Sequence, residues 1–139
     1  MISQSLIKLA SQTKYYGLPN NSKFRSKQKN KICGDVITIE VEIVNQLIKK
    51  INYETESCVF CQASASILAS TFKNMKIKNA NKELSNFIKI DDKNKIMIKT
   101  KFKEIKKLLN NKYKERYNCV ILPINTLLKA INCWRWKKH

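Results

Sequence analysis

The sequence contains few glycine, proline, histidine and acidic residues, and each shortage excludes something. Two glycines and two prolines among 139 residues leave no flexible linker between domains. The only histidine is His139, so a buried Ser–His–Asp triad cannot be assembled. No apolar run approaches the ~20 residues that a membrane-spanning helix requires. Because 43% of the residues are apolar, we expect a single domain over residues 1–139 with its own core.

The cysteines and the first ten residues favour a reducing compartment. Residues 1–10 lack a long apolar segment followed by a small-residue cleavage site, so we expect no secretion signal. The five cysteines are odd in number and unevenly spaced, which does not fit a disulfide framework. Reduced thiols are typical of the cytoplasm. A cytoplasmic location without a membrane partner is therefore predicted.

Positive charge is present in large excess. Lys and Arg outnumber Asp and Glu by 28 to 10, which gives a formal charge of +18. The lysines are scattered from Lys8 to Lys138, and Arg, which makes bidentate contacts to bases and phosphates, occurs only three times. We interpret the charge as solvated surface and disfavour nucleic acid as a partner. A small basic nucleic-acid-binding protein remains an alternative, to which the aromatic and basic residues 134–138 would contribute.

A β-hairpin is the clearest structural signal. Residues Val36–Val44 alternate apolar and polar side chains with a period of two, which predicts a strand. Asn45 and Gln46 predict a tight turn, because Asn tolerates the left-handed conformation. Leu47–Tyr53 then predicts the returning strand, with its first and last residues on one face.

Apolar residues at helical spacing follow this hairpin. Residues 65–75 predict a helix with one apolar stripe, and residues 124–131 predict a C-terminal helix with Pro123 in its first turn. A small antiparallel sheet, formed by the hairpin and a third strand and packed against helices, defines an α+β fold. The polar, basic residues 23–31 and the tail 134–139 are predicted to be mobile.

Four potential metal ligands lie at the junctions between these elements. Cys33 and Asp35 precede the first strand and share the parity of its apolar residues, which predicts that both face the core if the strand extends back. Cys58 ends the second strand. Cys119 begins the C-terminal helical segment, where the helix dipole favours a thiolate. Three thiolates and one carboxylate suit zinc or an iron–sulfur unit, and Arg116 is a candidate for offsetting their negative charge.

Two further cysteines have less defined roles. Cys58 and Cys61 form a C-x-x-C pair, which leaves open a thiol–disulfide oxidoreductase, although the parallel βαβ pattern of thioredoxin-like proteins is missing. Cys61 is also a candidate extra ligand, an auxiliary sulfur acceptor or a small core residue. We interpret Cys133, beside Trp134, as incidental.

Three blocks of residues resemble the iron–sulfur assembly scaffold family of the IscU, NifU N-terminal and SufU proteins. Cys33-Gly34-Asp35 before a hairpin is similar to the first ligand motif of that family. Cys58, followed by an Ala- and Ser-rich helix, is similar to the second ligand motif. Residues 116–119, Arg-Tyr-Asn-Cys, resemble the third. An Arg three residues before the third cysteine, and a step of 61 residues from the second to the third cysteine, are closest to the SufU-type branch.

The resemblance implies a fold, partners and a site. It implies an IscU- or SufU-like fold and a scaffold, rather than an enzyme, that builds a transient [2Fe–2S] cluster. The partners would be a cysteine desulfurase and iron–sulfur client or carrier proteins. Cys33, Asp35, Cys58 and Cys119 would be the ligands, with Asp35 the most labile and Cys33 or Cys119 the sulfur acceptor. A zinc-dependent sulfurtransferase that acts on a desulfurase persulfide remains the alternative.

Overall fold

A three-stranded antiparallel sheet and five helices make up most of the described chain. The computed structural model describes residues 4–12, 14–19, 24–31, 33–90, 96–98, 102–109 and 111–138. In chain order the elements are α1 (Gln4–Ala10), β1 (Arg25–Lys29), β2 (Val36–Val44), β3 (Leu47–Glu56), α2 (Val59–Thr71), α3 (Ile77–Ser85), β4 (Ile88–Ile90), β5 (Ile96–Ile98), α4 (Lys103–Leu108), a 3-10 helix (Asn111–Arg116) and α5 (Tyr117–Lys138). The predicted α+β class is confirmed.

The hairpin of β2 and β3 forms as predicted, with β2 over the predicted residues and β3 three residues longer, to Glu56. Its turn consists of Asn45 at φ 53° and Gln46 at φ 65°. Two consecutive positive φ angles match the right-handed twist of the flanking strands, which is why such turns join hairpins. Core-facing side chains of β2, Ile37, Ile39 and Val41, are almost completely buried.

A β-bulge corrects one detail of the predicted hairpin. The register between the two strands shifts between Glu42 and Ile43. One extra residue on β3 reverses which side chains face the core beyond that point. As a result Ile48 is fully buried, whereas Leu47, which was predicted to share a face with the buried Tyr53, is only partly buried.

Strand β1 lies within residues 23–31, for which the sequence predicts mobility rather than a strand. Lys23 itself lies outside the described residues. Residues Arg25–Lys29 pair with β2 as an edge strand, and they supply the predicted third strand in the order β1-β2-β3. Arg25 donates to the carboxylate of Glu40 at 3.3 Å, and Glu40 is only 1% exposed. On the other face, Gln28 accepts a hydrogen bond from Lys129 of α5 at 3.1 Å. A charged edge strand discourages pairing with other chains. Because the sequence of β1 is polar, no hydrophobic pattern predicts the strand.

Helix α2 is the central element of the core. A single apolar stripe was predicted, but burial extends around the helix to include Ser64 and Ser66. Its small side chains allow α5 to pack closely, and the Ser64 hydroxyl donates to the Val120 carbonyl at 2.8 Å. The helix therefore fixes its own first turn, which carries Cys58 and Cys61, against the C-terminal helix.

Helix α5 begins earlier and ends later than predicted. It starts at Tyr117, so Pro123 lies inside the helix rather than in its first turn. Because proline has no N–H, the carbonyl of Cys119 four residues earlier lacks its usual helical donor. The helix continues to Lys138, through most of the tail 134–139, and the mobility of that tail stays a prediction. His139 lies outside the described residues. Among the described residues, no helix is both long and apolar enough to cross a membrane.

Candidate metal centre

The loop that carries Cys33 and Asp35 is closed by two backbone hydrogen bonds. The amide of Gly34 donates to the Asn30 carbonyl, and the amide of Asn30 donates to the Asp35 carbonyl, each at 2.8 Å. Gly34 has a φ of +79°, a conformation that residues with a Cβ rarely adopt. The strand therefore does not extend back as predicted. Instead, Cys33 is exposed while Asp35 is buried.

Three of the four predicted ligands converge. Potential ligand atoms of Cys33, Asp35 and Cys119 all lie within 4.8 Å of one another. The two sulfur atoms, Cys33 Sγ and Cys119 Sγ, are 4.0 Å apart. Cys33 and Asp35 come from the loop before β2 and Cys119 from the first turn of α5, so two distant segments form the group. The predicted juxtaposition of these residues is present.

Cys58, the fourth predicted ligand, is attached to this group from the start of α2. Its backbone N–H donates to Asp35 Oδ1 at 3.2 Å. The Cys58 side chain, which is partly buried, lies beside Cys119 rather than within the set of mutually close ligand atoms. Because Cys58 is the N-cap residue of α2 without a side-chain cap, Asp35 acts as a remote cap of that helix.

The second oxygen of Asp35 is the best indication that the group is suited to a cation. Asp35 is 6% exposed, and its Oδ2 is a buried atom with no hydrogen-bond partner among the described residues. A buried carboxylate oxygen without a partner is costly, whereas a metal ion would satisfy it. Thiolate sulfurs with one oxygen are a donor set that zinc and iron–sulfur units accept.

The predicted ionisation of Cys119 by the helix dipole is wrong for the metal-free protein. Burial raises the pKa of the Cys119 thiol, and the neighbouring Cys58 thiol and Asp35 carboxylate raise it further. Cys119 is 3% exposed. The loss of solvation and the nearby negative charge outweigh the dipole at the start of α5, so the thiol keeps its proton until a cation arrives.

The remaining candidate residues lie around this centre in different environments. Cys61 is fully buried, with its Sγ 4.0 Å from the Thr55 hydroxyl, and burial raises its pKa to about 12. The Arg116 side chain is exposed at the end of the 3-10 helix. Cys133 is partly buried in α5, far along the helix from Cys119.

Two contacts that shape the centre could not be predicted from the sequence. Asn30 closes the Cys33 loop, and its position four residues before Gly34 is the only local signal for such a turn. Thr55 donates to the Val36 carbonyl at 2.6 Å and lies 2.8 Å from the Ser57 hydroxyl. The Thr55 contacts join the end of β3 to the start of β2 beside the site, and no motif in the sequence marks them.

An α+β domain that brings thiols and a buried carboxylate together at one end of its sheet has the form of a metal-binding scaffold. Comparison with known proteins agrees with that class. The model of the NifU-like N-terminal domain matches residues 3–139. The chain therefore belongs to the NifU-like N-terminal domain family, a family of iron–sulfur cluster assembly scaffolds.

Individual relatives agree with this assignment. The iron–sulfur cluster assembly scaffold protein IscU of Thermotoga maritima is 26% identical over 136 residues, covering 94% of this chain and 92% of the relative. The crystal structure of a nitrogen-fixing NifU-like protein (N-terminal) from Brucella abortus matches with a TM-score of 0.75 at 16% identity, covering 97% of this chain and 94% of the other. The crystal structure of a putative iron–sulfur cluster assembly scaffold protein for the SUF system from Fervidobacterium islandicum matches with a TM-score of 0.70 at 21% identity. The match covers 94% of this chain and 96% of the other. The two solved structures support the fold.

Proposed function

We propose that this protein assembles a [2Fe–2S] cluster on Cys33, Asp35, Cys58 and Cys119, using sulfur from a cysteine desulfurase. The observation that carries the proposal is the convergence of Cys33, Asp35 and Cys119 within 4.8 Å, together with the unpartnered Oδ2 of Asp35. Membership of a scaffold family supports the same role. The cluster is cargo, to be built and then passed to a client or carrier protein.

The exposure of the ligands suggests a division of roles. Cys33 is the exposed thiol, so it is the one that a desulfurase persulfide can reach first. Cys119 is buried directly behind it, with the two sulfurs 4.0 Å apart, and is the second candidate acceptor. Asp35 provides the one hard oxygen ligand, which binds a soft iron–sulfur unit most weakly. Its release would open the cluster for transfer.

A zinc-dependent sulfurtransferase is the second candidate. The same donor set fits a tetrahedral zinc ion, and the exposed Cys33 could leave the zinc to take up a persulfide. Metal content separates the two functions. Protein purified without oxygen that holds one tight zinc and forms no coloured cluster with iron, cysteine and desulfurase would favour sulfur transfer.

Ligand substitutions test the site itself. Cys33→Ser, Cys58→Ser and Cys119→Ser should each abolish tight metal binding, measured as metal stoichiometry and affinity by competition under reducing conditions. Asp35→Ala should keep the metal but release a reconstituted cluster more slowly to an acceptor, because the most exchangeable ligand is gone.

Two other cysteines provide matched controls for these substitutions. Cys133→Ser should bind metal like the wild type, and Cys61→Ser should stay within about tenfold, or ~1.4 kcal/mol. If Cys61→Ser loses metal as completely as Cys58→Ser, the site is a four-cysteine site and Asp35 is not a ligand. If the three ligand variants bind as well as Cys133→Ser, the proposed function is wrong.

A further inference from the structure

The C-x-x-C pair at the start of α2 is not explained by the proposed ligand set, which uses only Cys58. Cys58 is the N-cap, with an extended backbone at φ −71° and ψ 169°, and Cys61 lies in the first turn. The backbone N–H of Gln62 donates to the Cys58 carbonyl at 3.1 Å, so a helical hydrogen bond closes the turn that contains the two cysteines. Residues three apart on a helix have Cβ atoms ~5–6 Å apart, and a disulfide needs ~3.5–4.5 Å. An N-cap residue lies outside the regular helix and can cover that small difference.

Four of the five thiols of the protein form a series that runs from solvent into the core. Cys33 is exposed, Cys119 lies 4.0 Å behind it, and Cys58 lies beside Cys119. Cys61 follows at the inner end, fully buried under the Thr55 hydroxyl. Sulfur bound at the outer thiols can therefore pass inward by thiol exchange, whereas Cys61 is shielded from reagents in solution and can react only with a neighbouring sulfur.

We propose that Cys61 is a resolving thiol, which reduces a sulfane sulfur held on Cys58 to sulfide and closes a Cys58–Cys61 disulfide. The inference rests on the proposed function, because it supplies the sulfide that cluster assembly requires. A scaffold that receives sulfane sulfur needs two electrons for each sulfide that it makes. Here the two cysteine thiols of the protein itself provide them.

The reaction balances without any other reagent. Cys61 Sγ attacks the Sγ of the Cys58 persulfide, a new Sγ–Sγ bond forms, and the bond from Cys58 Sγ to the outer sulfur breaks. The electron pair of that bond leaves with the outer sulfur, which takes up the proton of the buried Cys61 thiol as the attack occurs and departs as hydrogen sulfide. The products are one disulfide and one hydrogen sulfide.

The disulfide also removes a proposed ligand. While Cys58 is bonded to Cys61, it cannot bind a metal as a thiolate, so sulfide release and cluster binding alternate on the same residue. A dithiol reductant must reopen the disulfide by thiol exchange before a cluster is retained.

Inorganic polysulfide tests the inference without a desulfurase. Metal-free wild-type protein treated with polysulfide and then desalted should release sulfide and end with a Cys58–Cys61 disulfide, mapped by mass spectrometry after alkylation. Cys61→Ser and Cys61→Ala should retain the added sulfur and release sulfide at least tenfold more slowly. Cys133→Ser, which also removes one cysteine, should behave like the wild type.

Any of three results would overturn the inference: sulfide release unchanged in both Cys61 variants, a wild-type disulfide that maps to Cys33 and Cys119, or no added sulfur retained on either Cys61 variant. Because polysulfide replaces the desulfurase and no metal is present, a failure of cluster assembly or of desulfurase binding would not alter this result. Conversely, intact metal binding with failed sulfide release would reject the role of Cys61 and leave the proposed function standing.

Discussion

The two sides of the candidate centre are built in opposite ways. On the strand side, Cys33 and Asp35 lie in a short loop that two backbone hydrogen bonds close around a left-handed glycine. On the helix side, Cys58 and Cys119 sit in the first turns of α2 and α5, which pack together in the core. The strand side exposes its thiol, whereas Cys119 is buried. The fold thus combines an accessible ligand with a rigid one.

This difference explains how a scaffold can hold its cargo and still release it. Ligands fixed by core packing have little freedom, so they keep their geometry in the absence of metal. A ligand loop that is held by a few backbone contacts can open at low cost. Ligand substitutions aside, we therefore expect changes in the buried core on the helix side to act on the stability of the whole protein, and changes in the strand-side loop to act on metal binding as well.

The largest effect should come from ionising the buried thiol on the helix side. Burial raises the pKa of Cys61 from 9.0 to about 12, so between these values the unfolded chain loses a proton that the folded protein retains. Stability is therefore fully present below pH 9 and falls as the pH rises toward 12, by about 4 kcal/mol at most. Urea unfolding of metal-free protein at several alkaline pH values measures the total slope, to which the buried Cys119 thiol, whose pKa is also raised, contributes as well.

Cys61→Ala is the informative variant for that slope. The substitution should lower stability at neutral pH, but the variant should lose less stability on going to alkaline pH, because the thiol whose pKa burial raises is absent. Cys133→Ser is the control and should keep the wild-type slope. A parallel pH dependence in Cys61→Ala and the wild type would contradict a buried, protonated thiol at this position.

The same contrast between the two sides explains which features could be predicted from the sequence. The hairpin was predicted because β2 buries alternate residues, and a period of two survives in the sequence whatever packs on it. A third strand was predicted, but its position at β1 was not, because the exposed Lys27 and Lys29 alternate only with polar, half-buried side chains. An edge strand that is held by Arg25 and Gln28 leaves no hydrophobic pattern.

The residues of the candidate site could be predicted from the sequence, but the burial and the pKa values of their side chains could not. Cys33, Asp35 and Cys119 were selected by residue type and by their positions at element junctions, and the structure brings them together. The raised pKa of Cys119 could not be predicted, because it depends on tertiary burial that outweighs the local helix dipole. The internal position of Pro123 was missed for a related reason. The packing of α2 against α5 stabilises helix on the N-terminal side of the proline.

A smaller effect is expected from backbone strain on the strand side. Gly34→Ala places a Cβ on a residue at φ +79°, where the new atom meets nothing within 4 Å, so its cost is conformational alone. That cost should be about 1–2 kcal/mol of unfolding free energy. Because the relaxed loop would reorient Cys33 and Asp35, zinc affinity should also fall, by about tenfold or ~1.4 kcal/mol.

Gly17→Ala is the matched control for that substitution. Gly17 has a φ of +107° and equally open surroundings, but it pairs with Tyr53 rather than with the metal centre. It should lose comparable stability by urea unfolding and bind zinc like the wild type. Equal zinc affinities for the two glycine variants would show that the conformation of the Cys33 loop does not control binding.

The smallest effect should come from Arg116, the candidate for offsetting the charge of the ligands. Its exposed guanidinium lies three residues before the buried Cys119, so solvent and salt screen its field. Arg116→Gln should weaken zinc binding by no more than about threefold at low salt, and the difference should vanish near 1 M salt, where the Debye length is about 3 Å. Lys114→Gln, also exposed on the 3-10 helix, is the matched control for the loss of one positive charge. If Arg116→Gln weakened binding by tenfold or more at high salt while Lys114→Gln did not, Arg116 would have to contact the bound group directly, and the helix side would contribute a charged residue as well as thiols.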